Sequence, residues 1–329
     1  MTYLTNNASD FVADMLEGFI AVHGDTVAPV PGGVVRAHET PPGQVAVVIG
    51  GGSGHYPAFC GLVGPGLAHG AAMGEVFASP SAARVESVAR AARGNSGVLL
   101  SYGNYAGDVL NFDEAQERLR ADGIDCRTVI VTDDVSSAPV EQWRTRRGVA
   151  GDFTVFKVAA AAAEEGLDLD AVVAIAERAN ERTRTMGVAF TGCTLPGATE
   201  PLFTVPRGRM GVGMGIHGEP GVSETDVPTA DELAEMLVTR LLDEVPDGVK
   251  RDGARVVPLV NGLGSIKSEE LFLLYAAVAP RLESAGLTLV QPEVGELVTS
   301  FEMAGVSLTL FWLDDELERL WAAPAAAPA

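Results

Sequence analysis

Short apolar runs rich in branched residues alternate along the first half of the chain with segments whose apolar positions recur at helical spacing. Branched runs bounded by glycine and polar residues are typical of buried strands, and helical spacing is typical of amphipathic helices. The predicted strands lie at 45–49, 97–102 and 128–132. The predicted helices lie at 8–22, 82–93, 113–122, 148–166 and 168–186. This alternation predicts an α/β unit with a largely parallel sheet.

The same alternation returns after residue 186. It predicts helices at 229–242, 269–283 and 314–321, and strands at 256–260, 287–290 and 306–312. We therefore expect two α/β domains, 1–185 and 186–321, each with a central mixed or largely parallel sheet and flanking helices. The last strand is compatible with either sheet. Residues 322–329 are rich in proline and alanine, which predicts either a linker to a further domain or a frayed tail.

The segment Gly-Gly-Gly-Ser-Gly-His at 50–55 follows the first predicted strand. Glycines lack a Cβ atom, so the chain can turn sharply there and a ligand can approach the backbone amides closely. Ligands of open α/β sheets bind beyond the carboxyl ends of the strands, which makes His55 a candidate catalytic residue. The alternative is a tight turn that happens to end in a histidine.

Further polar side chains follow glycine-containing segments. Asp108 and the pair Asp133 and Asp134 come after two predicted strands, so parallel strands would bring them to the same edge as His55. An Asp108–His55 pair would be suited to activating a hydroxyl group. His217 lies between an isoleucine and glycines, which would desolvate the imidazole and keep it neutral and nucleophilic. The alternatives are structural histidines and simple turn residues, and we favour the latter for Asp133 and Asp134.

Composition excludes some classes of function. The formal charge of −21 argues against nucleic acid and anionic membranes as partners. The cysteines have no metal-ligand spacing and are odd in number, so we expect reduced thiols in a cytoplasmic protein and no metal site. They are Cys60, Cys126 and Cys193. Residues 1–6 have no basic segment before an apolar core, and no apolar run is long enough to span a bilayer. We therefore expect neither a secretory signal nor a membrane span.

Two glycine-rich segments match nucleotide-binding motifs incompletely. Residues 213–218 have the spacing G-x-G-x-x-G, but the Glu-Pro-Gly that follows opposes the start of the helix that the dinucleotide motif requires. Residues 262–268 end in Lys-Ser but lack the glycine that precedes the lysine of a P-loop. The sequence therefore predicts no nucleotide site of its own.

Six segments, in order along nearly the whole chain, together resemble the substrate-binding K subunit or domain of dihydroxyacetone kinases. They are Gly-Gly-Gly-Ser-Gly-His (50–55), Gly-Glu-Val-Phe-Ala-Ser-Pro (74–80), Asn-Tyr-Ala-Gly-Asp (104–108), Arg-Gly-Val-Ala-Gly (147–151), Gly-Met-Gly-Ile-His-Gly-Glu-Pro-Gly (213–221) and Thr-Ser-Phe-Glu-Met-Ala-Gly-Val-Ser-Leu-Thr (299–309). The resemblance implies a homodimer of two-domain units that binds a short-chain ketose. It also implies that ATP and Mg²⁺ are bound by a separate L domain, either a partner chain or a C-terminal fusion, or that a phosphotransferase-system partner replaces it.

The resemblance also implies roles for individual residues. His217 would attack the C2 carbonyl of the ketose through an imidazole nitrogen and form a hemiaminal, which selects ketones and rejects glycerol. Asp108 would take the proton of the terminal hydroxyl, and His55 would hydrogen-bond to the same region. The implied substrate-binding positions are Gly52, Ser53, Ser79 and Gly103.

Two positions depart from the family pattern. Tyr56 stands where the family has the glutamate of Gly-His-Glu-Pro, and Gly103 stands where the family has a lysine. Loss of the lysine removes a charged donor and opens space, so we hypothesise a ketose larger than dihydroxyacetone, such as erythrulose. Tyr56 and Tyr102 are candidates for the rim of this altered pocket. The alternative function is a regulatory paralogue that senses a ketone through His217 and contacts a transcription regulator without catalysis.

Overall fold

The computed structural model describes residues 3–329, so the first two residues of the first predicted domain lie outside the described residues. Two mixed sheets with helices on their faces make up this range, which confirms the predicted α/β class. The helices that flank the sheets are α1 (Phe11–His23), α2 (Ala82–Ala92), α3 (Ala106–Ala121), α4 (Gly151–Glu164), α5 (Leu169–Glu181), α6 (Ala230–Leu242), α7 (Ser268–Ser284) and α8 (Asp315–Trp321). Over the described residues, none of the helices is both long and apolar enough to cross a membrane.

The first sheet places the carboxyl ends of four strands at one edge. Its strands are β1 (Val27–Val30), β2 (Gly33–Arg36), β3 (Ala46–Ser53), β4 (Gly70–Val76), β5 (Val98–Gly103) and β6 (Cys126–Val131). Their order is β1-β2-β4-β3-β5-β6. The strands β4, β3, β5 and β6 run parallel, whereas β1 and β2 form an antiparallel hairpin at the margin. The segments that follow the four parallel strands therefore lie together, as the sequence predicts.

The second sheet is mixed but mainly antiparallel. Its strands are β7 (Thr183–Ala189), β8 (Arg209–Val212), β9 (Ser223–Asp226), β10 (Arg255–Gly262), β11 (Thr288–Leu289), β12 (Glu293–Gly295) and β13 (Gly305–Trp312). They run in the order β11-β10-β13-β7-β8-β9, and β12 also pairs with β10. Strand β13 lies between β10 and β7, so the last predicted strand belongs to the second sheet.

Helix α4 lies between the two sheets and contacts β3, β5, β6, β7 and β13. Its alanine run at 159–163 is at most 1% exposed. Small side chains let both sheets approach one helix, and one apolar cluster extends across both units. Helices α2 and α3 cover the outer face of the first sheet, and α6 and α7 cover that of the second.

Several predicted boundaries are wrong. The glycines at 50–52 do not follow the first strand but lie inside β3, where they permit close packing. A Cβ atom on Gly51 would lie 2.5 Å from the Phe59 ring. Strand β4 and the β1–β2 hairpin were not predicted. Strand β4 consists mainly of glycine and alanine, which have low strand propensity, and pairing with the neighbouring strands overrides that propensity.

The division between the two units also differs from the prediction. The predicted helix 168–186 ends at Glu181, and β7 begins at Thr183, so the predicted boundary at 185 falls inside a strand of the second sheet. Residues 322–329 do not form a frayed tail. The backbone amides of Ala326 and Ala329 donate to the carbonyls of Pro65 and Gly61, at 2.8 and 3.1 Å. This segment therefore packs along the chain that follows β3.

Candidate active site

His55 lies just beyond β3 and is 1% exposed. Its Nδ1 lies 2.7 Å from the carbonyl oxygen of Thr299, and a carbonyl can only accept, so Nδ1 carries a proton. Its ring stacks on Phe77 with centroids 4.9 Å apart and planes at 11°. Burial, followed by the neighbouring His217, lowers the pKa of His55 to about 3. The imidazole is therefore neutral, with the lone pair on Nε2.

His217 lies in the loop between β8 and β9, with its side chain 22% exposed. Its Nε2 is 2.9 Å from Nε2 of His55, and its Nδ1 is 3.0 Å from Oε1 of Glu219. The backbone amide of His217 also donates to Oε2 of Glu219, at 3.1 Å. Burial opposes ionisation of Glu219, but the hydrogen bond and charge of His217 outweigh it and lower its pKa to about 2. Glu219 therefore orients His217 as a carboxylate.

His217 lies between two hydrogen-bond acceptors. Nδ1 of His55 carries the proton that bonds to the carbonyl of Thr299, so Nε2 of neutral His55 can only accept. On the other side of His217, the carboxylate of Glu219 can only accept as well. The imidazole of His217 is therefore held in one orientation through both of its ring nitrogens.

Asp108 lies in the first turn of α3 rather than in the predicted loop, because the helix begins at Ala106 and not near residue 113. It is 8% exposed, and within the described residues its Oδ1 has no hydrogen-bond partner. Burial raises the pKa of Asp108 to about 6, and the Ser79 hydroxyl and the charge of His217 oppose the rise only in part. The predicted Asp108–His55 pair is wrong, since His55 bonds to His217 and Thr299 instead.

The segment at 299–301 holds the two histidine-bearing loops together. The amides of Thr299 and Phe301 donate to the carbonyls of His55 and Gly54, at 3.2 and 3.0 Å. The hydroxyl of Ser300 donates to the carbonyl of Ile216, beside His217. Gly54 has a φ of 106° and lies against the rings of Phe77 and Phe301, so no larger residue fits there. The segment therefore fixes the distance between the two imidazoles.

Two further carboxylates at the sheet edge, Asp133 and Asp134, make structural contacts. Both carboxylate oxygens of Asp133 accept hydrogen bonds, from the amides of Val149 and Gly151 at the start of α4. Asp134 accepts from the amide of Ser136 and pairs with Arg147 at 2.7 Å. These contacts agree with the structural role, as turn residues, favoured for the two aspartates. Arg147 also donates to the carbonyl of Gly213 at 2.9 Å, which ties the His217 loop to the first unit.

The implied substrate-binding positions have different surroundings. The hydroxyl of Ser53 is buried and donates to the carbonyl of Gly74 at 2.7 Å, so it does not face a ligand. A Cβ atom on Gly52 would lie 2.7 Å from the amide of Ala78, which explains the glycine by packing. Ser79 lies beside Asp108, as expected of a residue at the site. Tyr102 is fully buried against Phe112 and does not form a rim.

The space expected at Gly103 is not empty. A Cβ atom there would lie 3.2 and 3.3 Å from the two carboxylate oxygens of Asp152 and 3.3 Å from the Tyr105 ring. Tyr105 also contacts His217, with ring centroids 4.6 Å apart. The group that borders Gly103 is therefore a buried carboxyl, which the sequence analysis did not single out.

Glu219, Phe77 and Thr299 lie in segments that carry the family resemblance, but the sequence assigned them no role. Glu219 had a detectable signal, because it lies two residues after His217 in a short loop. Phe77 has a φ of 52°, a strained conformation that places its ring under His55 and beside His217. Thr299 is 244 residues from His55 in sequence, and its role is carried by backbone atoms, so no side-chain pattern indicates it.

A family model described as the Dak1 domain matches residues 17–329. The chain belongs to the Dak1 domain family. It is 64% identical to the L-erythrulose kinase of Pectobacterium atrosepticum and 60% identical to the D-erythrulose kinase of Mycolicibacterium smegmatis. Each alignment covers 100% of this chain and 56% of the relative. This Dak1 chain therefore spans little more than half the length of these relatives.

Two solved structures resemble the Dak1 chain over nearly its whole length. The native dihydroxyacetone kinase of C. freundii has a TM-score of 0.90 at 34% identity, covering 100% of this chain and 60% of that chain. The dihydroxyacetone kinase operon co-activator Dha-DhaQ has a TM-score of 0.89 at 30% identity, covering 96% and 97%. The same fold thus occurs in a kinase and in a regulator.

Proposed function

We propose that this Dak1 chain is the substrate-binding unit of a short-chain ketose kinase and captures its ketone covalently on His217. The observation that carries the proposal is the His55–His217–Glu219 chain, with Asp108 close enough to His217 for their charges to interact. A histidine with a carboxylate on Nδ1 and a neutral imidazole at Nε2 is oriented for nucleophilic attack. The erythrulose kinases among its relatives support the same class of substrate.

Capture forms one bond and takes up one proton. The Nε2 lone pair of His217 bonds to C2 of the ketose, and the π electrons of the carbonyl move to its oxygen. That oxygen takes a proton from solvent, so the product is a hemiaminal with a hydroxyl group. His217 becomes an imidazolium whose Nδ1 proton faces Glu219, and the carboxylate pairs with the positive charge that forms.

Asp108 is the proposed base for the phosphorylation step. It would accept the proton of a terminal hydroxyl as that oxygen attacks a phosphoryl group, and a base with a pKa of about 6 is ionised at neutral pH. A ketose held by a covalent bond presents that hydroxyl in one orientation. His55, through its contact with His217, positions the capturing imidazole.

We propose that ATP and Mg²⁺ are bound outside this chain. Within the described chain, no group of three or more histidines, cysteines or acidic residues is arranged to hold a metal ion. The glycine-rich segment 213–218 carries His217 and leads to strand β9 rather than to a helix. We propose that an L-type domain, fused or separate, or a phosphotransferase partner supplies the phosphoryl group. The C. freundii kinase has been solved with AMP-PNP and Mg²⁺, in a chain of which this one covers 60%.

The proposed substrate is a four-carbon ketose of the erythrulose type. The two erythrulose kinases named above act on opposite enantiomers according to their names, so the proposal leaves the chirality to experiment. The three cysteines are buried and free, which supports a reducing, cytoplasmic setting. We also propose a homodimer, in line with the family resemblance.

Carbon-13 NMR tests the proposed capture directly. The full-length protein is mixed with dihydroxyacetone, L-erythrulose or D-erythrulose labelled at C2. We expect the ketone carbon signal to be replaced by that of a tetrahedral carbon in the wild type and not in His217→Ala. His38→Ala, a histidine in an exposed loop, is the matched control and should behave as wild type. A wild-type protein that leaves all three ketone signals unchanged would sink the proposal.

A second candidate is a ketone-sensing regulator, which the similarity to the operon co-activator favours. A sensor needs His217 to capture a ketone but has no use for a base. The presence of Asp108 with a pKa near 6 favours the kinase. The two functions separate in one assay: a protein that captures ketose but shows no phosphorylation with any L-type domain or phosphocarrier is a sensor.

A further inference from the structure

The buried carboxyl of Asp152 has no role in the capture or phosphorylation steps described above. It lies in the first turn of α4 and is 3% exposed. Within the described residues, its Oδ1 has no hydrogen-bond partner. A buried polar atom without a partner lowers stability, so such groups usually have a partner that binds later or serve a function. Asp133, a neighbouring buried carboxylate, differs in that both its oxygens accept hydrogen bonds.

Two glycines keep room for this carboxyl. A Cβ atom on Gly103 would lie 3.2 and 3.3 Å from the oxygens of Asp152, and one on Gly148 would lie 2.8 Å from Oδ1. Gly103 ends strand β5, at the sheet edge that carries the site. Side chains at either position would crowd Asp152 or displace it. The backbone is thus built around an unpartnered carboxyl.

The carboxyl is separated from the nucleophile by one side chain. The Tyr105 ring contacts His217 on one side and borders Gly103, and hence Asp152, on the other. Burial, followed by the charges of Asp133 and Asp108, raises the pKa of Asp152 well above its ordinary value. A protonated carboxyl can both donate and accept a hydrogen bond. It therefore matches a hydroxyl group better than it matches a cation or an anion.

We propose that Asp152 is a specificity-determining residue that hydrogen-bonds to the hydroxyl group on the fourth carbon of the captured ketose. The inference rests on the proposed function, because it assumes that C2 of the ketose is bound to His217. A three-carbon ketose held there lacks this hydroxyl and would leave Asp152 unpartnered, whereas a four-carbon ketose carries it. A site that hydrogen-bonds to a substrate hydroxyl discriminates against analogues that lack it.

The test compares ketoses that differ only at the fourth carbon. The full-length protein is titrated with dihydroxyacetone, erythrulose and 1,3-dihydroxybutan-2-one, each labelled at C2, and Kd is taken from the loss of the ketone carbon signal. The last compound keeps the fourth carbon but lacks its hydroxyl. The variants are Asp152→Ala, Asp152→Asn and, as a matched control, Asp170→Ala, which removes an exposed acidic residue from the first turn of the next helix.

We expect Asp152→Ala to weaken erythrulose capture about ten- to hundredfold, the loss typical of one buried hydrogen bond, and to leave dihydroxyacetone capture nearly unchanged. It should bind 1,3-dihydroxybutan-2-one as wild type does, and Asp152→Asn should retain most of the preference for erythrulose. An equal loss for all three ketones, or no loss for any, would overturn the inference while His217-dependent capture stands. If the wild type captures no ketone, the proposed function fails first.

Discussion

The two halves of the site control their histidines in opposite ways. His55, from the first unit, is buried, stacked on Phe77 and bonded to a backbone carbonyl, and burial lowers its pKa to about 3. His217, from the second unit, is partly exposed and bonded to a carboxylate. The first unit thus disfavours charge by removing water, whereas the second supplies a counter-charge.

The same contrast holds for the two carboxyl groups. Burial raises the pKa of Asp108, on the first unit, to about 6, whereas the hydrogen bond and charge of His217 lower the pKa of Glu219, on the second unit, to about 2. A group with a pKa near the working pH suits proton transfer, and a permanent charge suits the support of a cation. Under the proposed function, the first unit carries the base for phosphorylation and the second unit carries the nucleophile for capture.

Asp108→Asn should have the largest effect that separates the two units. The amide cannot accept the hydroxyl proton, so we expect phosphorylation by the full-length protein to fall by about 10²–10⁴, the usual contribution of a general base. Capture measured by carbon-13 NMR should persist. If Asp108→Asn loses capture and phosphorylation to the same extent, the two units do not carry separate steps.

Glu219→Gln should weaken capture about ten- to hundredfold, because the imidazolium that forms on His217 loses its counter-charge but keeps a hydrogen-bond acceptor. The Kd for the ketose, from the same carbon signal, measures this. Glu200→Gln, an exposed glutamate, is the control. If capture is unchanged while turnover of the captured ketose falls, Glu219 belongs with Asp108 and the comparison is wrong.

The pH dependence of kcat tests the role of Asp108 in the wild-type protein. Asp108 must be ionised to accept a proton, and its pKa is raised from 3.8 to about 6. Below that pH, kcat should fall about tenfold per unit as the carboxyl is protonated. The residual activity of Asp108→Asn should lack this acidic limb. If the acidic limb persists in Asp108→Asn, a group other than Asp108 causes it.

The parallel strands at the centre of the first sheet could be predicted from the sequence. The branched runs of β3, β5 and β6 predicted strands whose carboxyl ends meet, and His55 and Asp108 lie at that edge. The sequence was insufficient where local signals are weak. Helix α3 begins at Ala106 without a side-chain cap, so no N-terminal signal marks its first turn or the place of Asp108 on it.

The contacts that bring the site residues together join parts of the chain that are far apart in sequence. His55 and His217 are 162 residues apart in sequence, and only the packing of both sheets on α4 brings them within 2.9 Å. The resemblance to a family named both histidines, but the pattern of polar residues after the strands paired His55 with Asp108 instead of His217. Asp152 escaped notice because its signal is a missing hydrogen bond, which only a structure shows.

Thr299→Val should have the smallest effect. The backbone carbonyl and amide of Thr299 hold His55, whereas its hydroxyl donates to the carbonyl of Tyr56 at 3.0 Å. The variant removes only the hydroxyl bond, so we expect a loss of about 1 kcal/mol in the free energy of unfolding and capture within about threefold of wild type. Denaturant unfolding and the carbon-13 assay measure the two, with Thr299→Ser as the control. Loss of capture far beyond the loss of stability would mean that the hydroxyl, and not the backbone, sets the position of His55.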